Sequence, residues 1–301
     1  MHDRLEDLST ELRNEQTEHL DKLTVMEILE RMNAEDKKVP DAMEGALEQI
    51  ATAVMMIVAS LEQGGRLFYF GAGTSGRLGI LDAAECPPTF GTDPELIKGV
   101  IAGGTSAIIR AIEGAEDQPE LGRKDVRENG VRAGDVMVGI AASGRTPYVM
   151  GALEEARLQG AKTIALSCVG QAQINSYADH AIQVVVGPEV VTGSTRLKAG
   201  TATKQVLNML TTATMIKLGK VYGNLMVSVQ ATNVKLRERV KRIIMEVTGV
   251  GYEEAEQLAH LANGDAKTAI LIKLTGISLI EAKRLLEQTQ GRLREAIELS
   301  E

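Results

Sequence analysis

Residues 66–77 read RLFYFGAGTSGR, and this stretch indicates the class of the fold. Its first part, Arg66–Phe70, is a short apolar run of the kind that forms a buried strand. Gly71, Gly73 and Gly76 follow in a G-x-G-x-x-G pattern, which is typical of a tight turn that opens a helix. The stretch therefore predicts a strand, a glycine turn and a helix in immediate succession.

Strands and helices alternate in the segment that follows. Thr146 and Pro147 are typical of an N-cap and a first helical residue, and they predict a helix to about Leu158. A long helix is predicted from about Lys198 to Leu218. Further short apolar runs predict the strands Val136–Ile140, Lys162–Ser167 and Ala181–Val186. This alternation is typical of an α/β fold, with a parallel sheet flanked by helices.

Helices are also predicted before the first strand. Thr24-Val-Met-Glu27 has capping-box spacing and predicts a helix to about Arg31. A long apolar-periodic helix is predicted to start at Pro40 and to end at Gly64-Gly65.

The chain changes character after about Lys235, where short helical segments are separated by glycines. We therefore predict two domains. Residues 1–237 hold the sheet with an N-terminal helical extension, and residues 238–301 form a small all-helical domain.

Charge and aromatic content argue against nucleic-acid binding. Lys plus Arg number 33 and Asp plus Glu 41, for a net charge of −8. Nucleic-acid binding needs clustered cations and aromatic side chains that stack on bases. The chain has three Phe, five Tyr and no Trp. We therefore expect no nucleic-acid partner.

Cysteine content and hydropathy indicate the compartment. Cys86 and Cys168 are too few for a disulfide framework. The N-terminus lacks the apolar core of a signal peptide, and the longest apolar run, residues 51–61, is shorter than the roughly 20 residues of a membrane span. We expect a cytoplasmic protein that does not enter a membrane.

Three loops combine glycine with hydroxyl side chains just before a predicted helix. Each alone is more often a structural turn or a helix cap. Together they fall at the carboxyl edge of the sheet, where open α/β sheets bind ligands. Hydroxyls and free backbone N–H groups suit a phosphate monoester. The candidate ligand-binding residues are Gly73, Thr74, Ser75, Ser143, Gly144, Thr146, Ser194 and Thr195.

Dinucleotide binding is the alternative for the first glycine turn. It requires an acidic residue at the end of a second strand about 20 residues further on. Cys86-Pro-Pro88 interrupts the chain before that point. A compact phosphorylated molecule is therefore the better prediction.

Two carboxylates stand in unusual surroundings. Glu85 lies among small apolar residues just before the predicted helix stop at Pro87, and Glu116 lies in the acidic run EGAED. Both have the ordinary interpretation of surface glutamates. A carboxylate at an apolar helix end can also act as a general acid.

Metal-dependent and serine-hydrolase chemistry have no support in the sequence. No histidine is spaced with a cysteine or acidic cluster in a metal-ligand pattern, and there is no nucleophile elbow. The histidines are His2, His19, His180 and His260. We expect neither a metal nor a cofactor.

Four segments carry a specific resemblance. They are GAGTSGRLGILDAAECPPTF (71–90), EGAEDQPELG (113–122), GIAASGRTPYV (139–149) and TGSTRLKAGTATKQVLN (192–208). In this order they resemble the N-acetylmuramic acid 6-phosphate etherases. These are sugar isomerase (SIS) domain proteins related to the glucokinase regulatory protein. The phrases TGVGYEEA and TGISLIEAKRLL resemble the family's C-terminal helical domain, so the likeness covers nearly the whole chain.

The resemblance implies an SIS fold in a homodimer, with a small C-terminal helical domain of UBA-like or lid type. It implies removal of the D-lactyl ether from a phosphorylated amino sugar, in bacterial cell-wall recycling. Its catalytic glutamates fall on Glu85, as proton donor, and Glu116. A phosphosugar isomerase and a non-catalytic phosphosugar-sensing regulator are the alternatives on the same fold.

Overall fold

The structure, a computed structural model, describes residues 10–229 and 234–300. Its elements in chain order are α1 (Val25–Asp36), α2 (Lys38–Glu44), α3 (Leu47–Glu62), β1 (Leu67–Gly71), α4 (Gly73–Phe90), β2 (Ile97–Ile101), α5 (Ser106–Ile109), α6 (Pro119–Glu128), β3 (Val136–Ile140), α7 (Pro147–Leu158), β4 (Lys162–Ser167), β5 (His180–Gln183), α8 (Lys198–Lys217), α9 (Val234–Thr248), α10 (Tyr252–Leu261), α11 (Ala266–Thr275), α12 (Leu279–Gln288) and α13 (Leu293–Glu298). Single 3-10 turns occur at Glu15–Thr17, Leu20–Lys22 and Gln173–Tyr177.

The five strands form one parallel sheet in the order β2-β1-β3-β4-β5. Every residue of β1 and β3 is buried, as expected for central strands covered by helices on both faces. The predicted α/β fold with a parallel sheet flanked by helices is confirmed. The last predicted strand is shorter than expected and ends at Gln183.

Strand β2 is the element that the sequence pattern does not reveal. Its sequence, IKGVI, is interrupted by Lys98 and Gly99, and only its end residues are buried. Gly99 is required there because a Cβ atom would lie 2.5 Å from the Cα of Ile80 on α4. Close packing of α4 on an edge strand thus removes the apolar signature.

The predicted helix from Pro40 to Gly64-Gly65 is wrong in one respect, because the chain forms two helices there. Helix α2 ends at Glu44, and α3 starts at Leu47. Gly45 lies at the break, where its low helix propensity favours an interruption. The capping box of Thr24 and Glu27 is confirmed.

The predicted helix stop at Pro87 is also wrong. Helix α4 contains Pro87 and Pro88 and continues to Phe90. A proline inside a helix removes one backbone donor, so two carbonyls of the preceding turn lose their helical partners. The next turn still closes, since the N–H of Gly91 donates to the carbonyl of Pro87 at 2.9 Å.

The chain divides into two compact units. The first comprises the residues up to Ala84 together with Glu95–Thr211, and the second comprises Glu85–Pro94 together with the residues from Thr212 onward. Phe68, Met137 and Leu153 are buried in the core of the first unit. Ile244 and Ile270 are buried in the core of the second. The predicted boundary between residues 237 and 238 stays a prediction.

Hydropathy identifies no single helix in residues 10–229 and 234–300 that is long and apolar enough to cross a membrane. One bent pair, Val25–Glu44 with Leu47–Glu62, meets the length and composition criteria together, with a bend of 62°.

Candidate functional site

The segments that follow β1, β3 and β4 leave the same edge of the sheet next to one another, and the first two of them are the first and second hydroxyl loops. Gly71, at the end of β1, pairs with Ile140 of β3, and Ile140 pairs with Leu166 of β4. Because the strands are parallel, the loops that start at residues 72, 141 and 168 begin side by side. The strand order changes direction at β1, which is the position where open α/β sheets bind ligands.

The first loop is held tightly by its glycines. A Cβ atom on Gly71 would lie 2.8 Å from the amide nitrogen of Gly76, and one on Gly76 would lie 2.7 Å from the carbonyl oxygen of Gly71. Gly73 has a φ of +52°. Packing within the turn therefore accounts for the glycine pattern, with no need for a dinucleotide. The turn leaves Thr74 half-buried and Ser75 buried.

The second loop, residues 141–147, is fixed through Gly144. Its φ is +71°, and a Cβ atom would lie 2.4 Å from the Cβ of Ala172. Its carbonyl accepts the N–H of Ile174 at 3.0 Å. Thr146 occupies the predicted N-cap position of α7, but its hydroxyl makes no capping bond. That hydroxyl is therefore available to a ligand.

Helix α7 also holds the backbone of Glu116. The N–H of Tyr148 donates to the carbonyl oxygen of Glu116 at 2.9 Å. Helices α6 and α7 pack closely behind this contact, since a Cβ atom on Gly122 would lie 2.0 Å from the carbonyl oxygen of Tyr148. The side chain of Glu116 remains exposed.

A cavity of about 240 Å³ brings the first loop and Glu116 together. Gly73, Glu113 and Glu116 line it, and five small side chains form its apolar wall: Ala72, Ala102, Ala107, Ala111 and Ala115. Arg77 also lines the cavity, and its guanidinium donates to the carbonyls of Ala107 at 2.8 Å and Ile108 at 2.9 Å. Arg77 thereby ties the short helix α5 to α4.

The third loop approaches the first at the start of α8. Gly193 has a φ of +76°. The methyl carbon of Thr74 lies 3.7 Å from the position that a Cβ atom would take on Gly200. The Cys168 thiol, just after β4, donates to the carbonyl of Ala199 at 3.4 Å. Burial raises the pKa of Cys168 to about 12, so this thiol is a structural group.

The six hydroxyls of the three loops have no hydrogen-bond partner in the described part of the chain. None of them makes a hydrogen bond to any group within residues 10–229 and 234–300. They belong to Thr74, Ser75, Ser143, Thr146, Ser194 and Thr195. None of the six belongs to the buried unpaired side-chain atoms, so solvent reaches them and they are available to a polar ligand.

The three helix starts differ in what their amides bind. At α8, the carboxylate of Glu189 accepts the N–H of Lys198 at 3.0 Å and that of Ala199 at 2.9 Å. At α4, by contrast, no acceptor among the described residues binds the N–H of Thr74 or Ser75, and the first turn carries no acidic residue. The start of α4 is therefore open to an anion, whereas that of α8 is closed.

Glu85 lies on α4 with an exposed side chain. One turn earlier, the buried carboxylate of Asp82 accepts hydrogen bonds from Tyr69 at 3.0 Å, Asn208 at 2.7 Å and Thr211 at 3.2 Å. Burial raises the pKa of Asp82. Asp82 is not among the predicted site residues, although an acidic residue inside an apolar helix is a signal for a buried carboxylate. The pairing of Glu85 with Glu116 stays a prediction.

No group of three or more His, Cys, Asp or Glu side chains in the described part of the chain is arranged to hold a metal ion.

Comparisons with known proteins extend these observations. Residues 49–157 match the family model for the glucokinase regulatory protein N-terminal SIS domain, and residues 125–213 match the SIS domain model. The N-acetylmuramic acid 6-phosphate etherase of Mycolicibacterium smegmatis is 56% identical, covering 96% of this chain and 97% of that protein. The etherase of Geobacillus thermodenitrificans is 53% identical, covering 98% and 100%.

A solved structure shares the fold. Phosphoheptose isomerase GmhA from Neisseria gonorrhoeae superposes with a TM-score of 0.50 at 22% identity, covering 64% of this chain and 98% of that one. This likeness supports the SIS fold of the sheet.

Proposed function

The chain belongs to the N-acetylmuramic acid 6-phosphate etherase family, and we propose that it cleaves the D-lactyl ether by elimination followed by hydration. The protein is an enzyme with this etherase activity. The proposed products are N-acetylglucosamine 6-phosphate and D-lactate. The observation that supports this chemistry best is the cavity shared by the open first loop and Glu116.

The phosphate is assigned to the first two loops. Ser75, Ser143 and Thr146 offer hydroxyls that have no partner among the described residues, and the open amides at the start of α4 add donors for an anion. The third loop has a different role, because the Glu189 carboxylate occupies the α8 amides and its charge opposes a second anion there. Ser194 and Thr195 therefore contact the sugar hydroxyls.

The reaction starts from the open-chain sugar. Its aldehyde at carbon 1 acidifies the proton on carbon 2, which Glu116 removes as general base. Glu85 protonates the ether oxygen as the bond to carbon 3 breaks and D-lactate leaves, forming a double bond between carbons 2 and 3. Water then adds its hydroxyl to carbon 3 and a proton returns to carbon 2, with the acid and base roles reversed.

This route needs one acid and one base. Each positioned proton transfer contributes about 10²–10⁴ to the rate. The substrate's own aldehyde supplies the activation, and no electron is transferred. We therefore assign neither a cofactor nor a metal to the reaction.

The cysteine content, the exposed apolar side chains and the net charge support proposals for the compartment, the oligomeric state and the partners. The chain has only two cysteines, Cys86 and Cys168, which are too few for a disulfide framework, and we assign the protein to the cytoplasm. Val25, Met26 and Leu29 on α1 are more than half exposed, an apolar surface suited to a second copy in a homodimer. The net charge of −8 is unfavourable for nucleic acid.

The direct test is incubation of the purified protein with N-acetylmuramic acid 6-phosphate, followed by quantification of both products. D-lactate and N-acetylglucosamine 6-phosphate should appear in equal amounts. A phosphosugar isomerase would convert a sugar phosphate without releasing lactate, and a sensor would bind the sugar unchanged. Either result would contradict the proposed etherase reaction.

A further inference from the structure

A buried carboxylate closes the base of the third loop. Residues 190–197, here called the substrate loop, connect Glu189 to the first residue of α8, Lys198. The two oxygens of Glu189 accept the backbone N–H groups of Lys198 and Ala199, and the Glu189 side chain is fully buried. One side chain thus joins the two ends of the loop.

A buried ion pair fastens the same base to the N-terminal helix α1. The ammonium of Lys198 lies 2.5 Å from Oε2 of Glu35, and their side chains are 1% and 2% exposed. Lys38 contacts the other oxygen of Glu35 at 2.7 Å. Near the other end of the loop, the Thr17 hydroxyl donates to the carbonyl of Val190 at 3.0 Å. Residues 17–38 therefore hold both ends of the substrate loop.

The placement of these charges has a geometrical consequence. A buried ion pair contributes little net stability compared with packed apolar side chains, because both charges lose their hydration. It does restrict the orientation of both side chains, since Lys198 contacts Oε2 of Glu35 and Lys38 contacts Oε1. The hydroxyls of Ser194 and Thr195, near the middle of the loop, have no partner within residues 10–229 and 234–300 and are available to bind.

We propose that Glu189 and Glu35 are positioning residues, which hold the substrate loop so that Ser194 and Thr195 meet the sugar. This inference rests on the proposed sugar contact of that loop. Neither carboxylate touches the substrate. Glu189 acts through the backbone of α8, and Glu35 acts through the ammonium of Lys198.

A double-mutant cycle on Glu189 tests the inference, with the dissociation constant of N-acetylglucosamine 6-phosphate measured by calorimetry. Glu189→Gln keeps the size of the side chain but replaces one acceptor oxygen by a donor NH₂. It should weaken binding about tenfold, the equivalent of one or two hydrogen bonds. In a background with Ser194→Ala and Thr195→Val, the same substitution should change binding less than about twofold, because coupled effects are not additive.

The outcomes separate two failures. If the Ser194→Ala, Thr195→Val protein binds as tightly as wild type, the loop does not contact the sugar and that part of the proposed function is wrong. If this variant binds weakly but Glu189→Gln adds its full tenfold loss on top, Glu189 does not act through the loop. The positioning role is then wrong while the sugar contact stands.

A test of the ion pair between Glu35 and Lys198 requires a variant that still folds. Glu35→Leu combined with Lys198→Met replaces two buried charges by apolar groups and should keep the melting temperature near that of wild type. Binding of the same sugar phosphate should still weaken about tenfold, because the loop has lost its anchor. Glu30→Gln, on the exposed face of α1, is the matched control and should change neither the melting temperature nor the binding of the sugar phosphate. Wild-type affinity in the double variant would overturn the role of Glu35.

Discussion

The backbone N–H of Tyr148, in the first turn of α7, donates a 2.9 Å hydrogen bond to the carbonyl oxygen of Glu116. Pro147 has no N–H, so Tyr148 supplies the first available amide of that helix. The bond joins the loop that carries Ser143 and Thr146 to the loop that carries Glu116. A proposed substrate-binding group and a proposed catalytic group are therefore fixed to the same helix end.

Substitution of the two glutamates tests their catalytic roles. Glu116→Gln leaves the Tyr148 bond intact because that bond uses the backbone carbonyl, and Glu85→Gln alters only an exposed side chain. Both variants should fold normally and lose at least about a hundredfold in kcat for D-lactate release. Glu120→Gln, exposed on α6, is the control and should keep its turnover. Near-wild-type turnover in either test variant would remove that residue from the mechanism.

Hydroxyl substitutions test the division between phosphate and sugar contacts. Ser75→Ala, Ser143→Ala and Thr146→Val remove groups that have no partner in the described part of the chain, so stability should change little. Each should raise the inhibition constant of inorganic phosphate, with a loss of binding free energy of about 0.5–3 kcal/mol, the range for one hydrogen bond to neutral or charged groups. Ser194→Ala should leave that inhibition unchanged. The same inhibition constant in all four variants would refute the assigned phosphate site.

Chelation tests the assignment of the chemistry to two carboxylates alone. Treatment with EDTA should leave D-lactate release unchanged, because the proposed proton transfers need no Lewis acid. The measurement compares initial rates before and after dialysis against EDTA. Loss of activity that a divalent ion restores would contradict the proposed mechanism.

The elements that the sequence predicts well are those whose signal is local. The apolar runs at Arg66–Phe70 and Val136–Ile140 become central strands because a buried parallel strand is apolar on both faces. Strand β2 gives no such signal, since Gly99 is required by α4 and Lys98 interrupts the run. The break between α2 and α3 follows the low helix propensity of Gly45, which the apolar periodicity of the segment masks. The passage of α4 through Pro87 instead goes against local propensity.

The candidate site also combines features with a local sequence signal and features set by distant residues. Loops with glycine and hydroxyls can be found by pattern, and the structure brings Gly73 and Glu116 to one cavity. The partners that hold these loops are distant in sequence, such as Glu35 with Lys198, which are 163 positions apart. Nothing in the composition around Glu35 distinguishes it from the exposed glutamates of the same helix. From sequence alone, a run of charged residues on a helix predicts a solvent-exposed face, and only the structure shows that one of these residues is buried.

Acid unfolding tests the buried ion pair independently of activity. Burial alone would raise the pKa of Glu35. The hydrogen bonds from Lys198 and Lys38 outweigh this effect and lower the pKa from 4.5 to about 2. A group with a depressed folded-state pKa contributes stability that is complete above its unfolded pKa and is lost as pH falls through the folded one. The free energy of unfolding of wild type should therefore fall between about pH 4.5 and 2 more steeply than that of Glu35→Gln.

Urea unfolding at pH 7 and pH 3 measures this difference, with Glu30→Gln as the exposed control. The gap between wild type and Glu35→Gln should be larger at pH 7 than at pH 3. An equal gap at both values would show that Glu35 does not titrate through its partner in the folded state.

Isotope labelling decides which bond breaks. Elimination cleaves the bond between carbon 3 and the ether oxygen, so lactate keeps that oxygen and water supplies the new hydroxyl on carbon 3. In heavy-oxygen water the amino sugar should gain label beyond the aldehyde exchange at carbon 1, which incubation of the product alone measures. In deuterated water, deuterium should appear at carbon 2, because the proton held by Glu116 exchanges with solvent before it returns. Heavy oxygen in the lactate hydroxyl would mean attack at the lactyl carbon. The elimination would then be wrong even with the etherase activity intact, and the carboxylates would instead have to activate a water molecule.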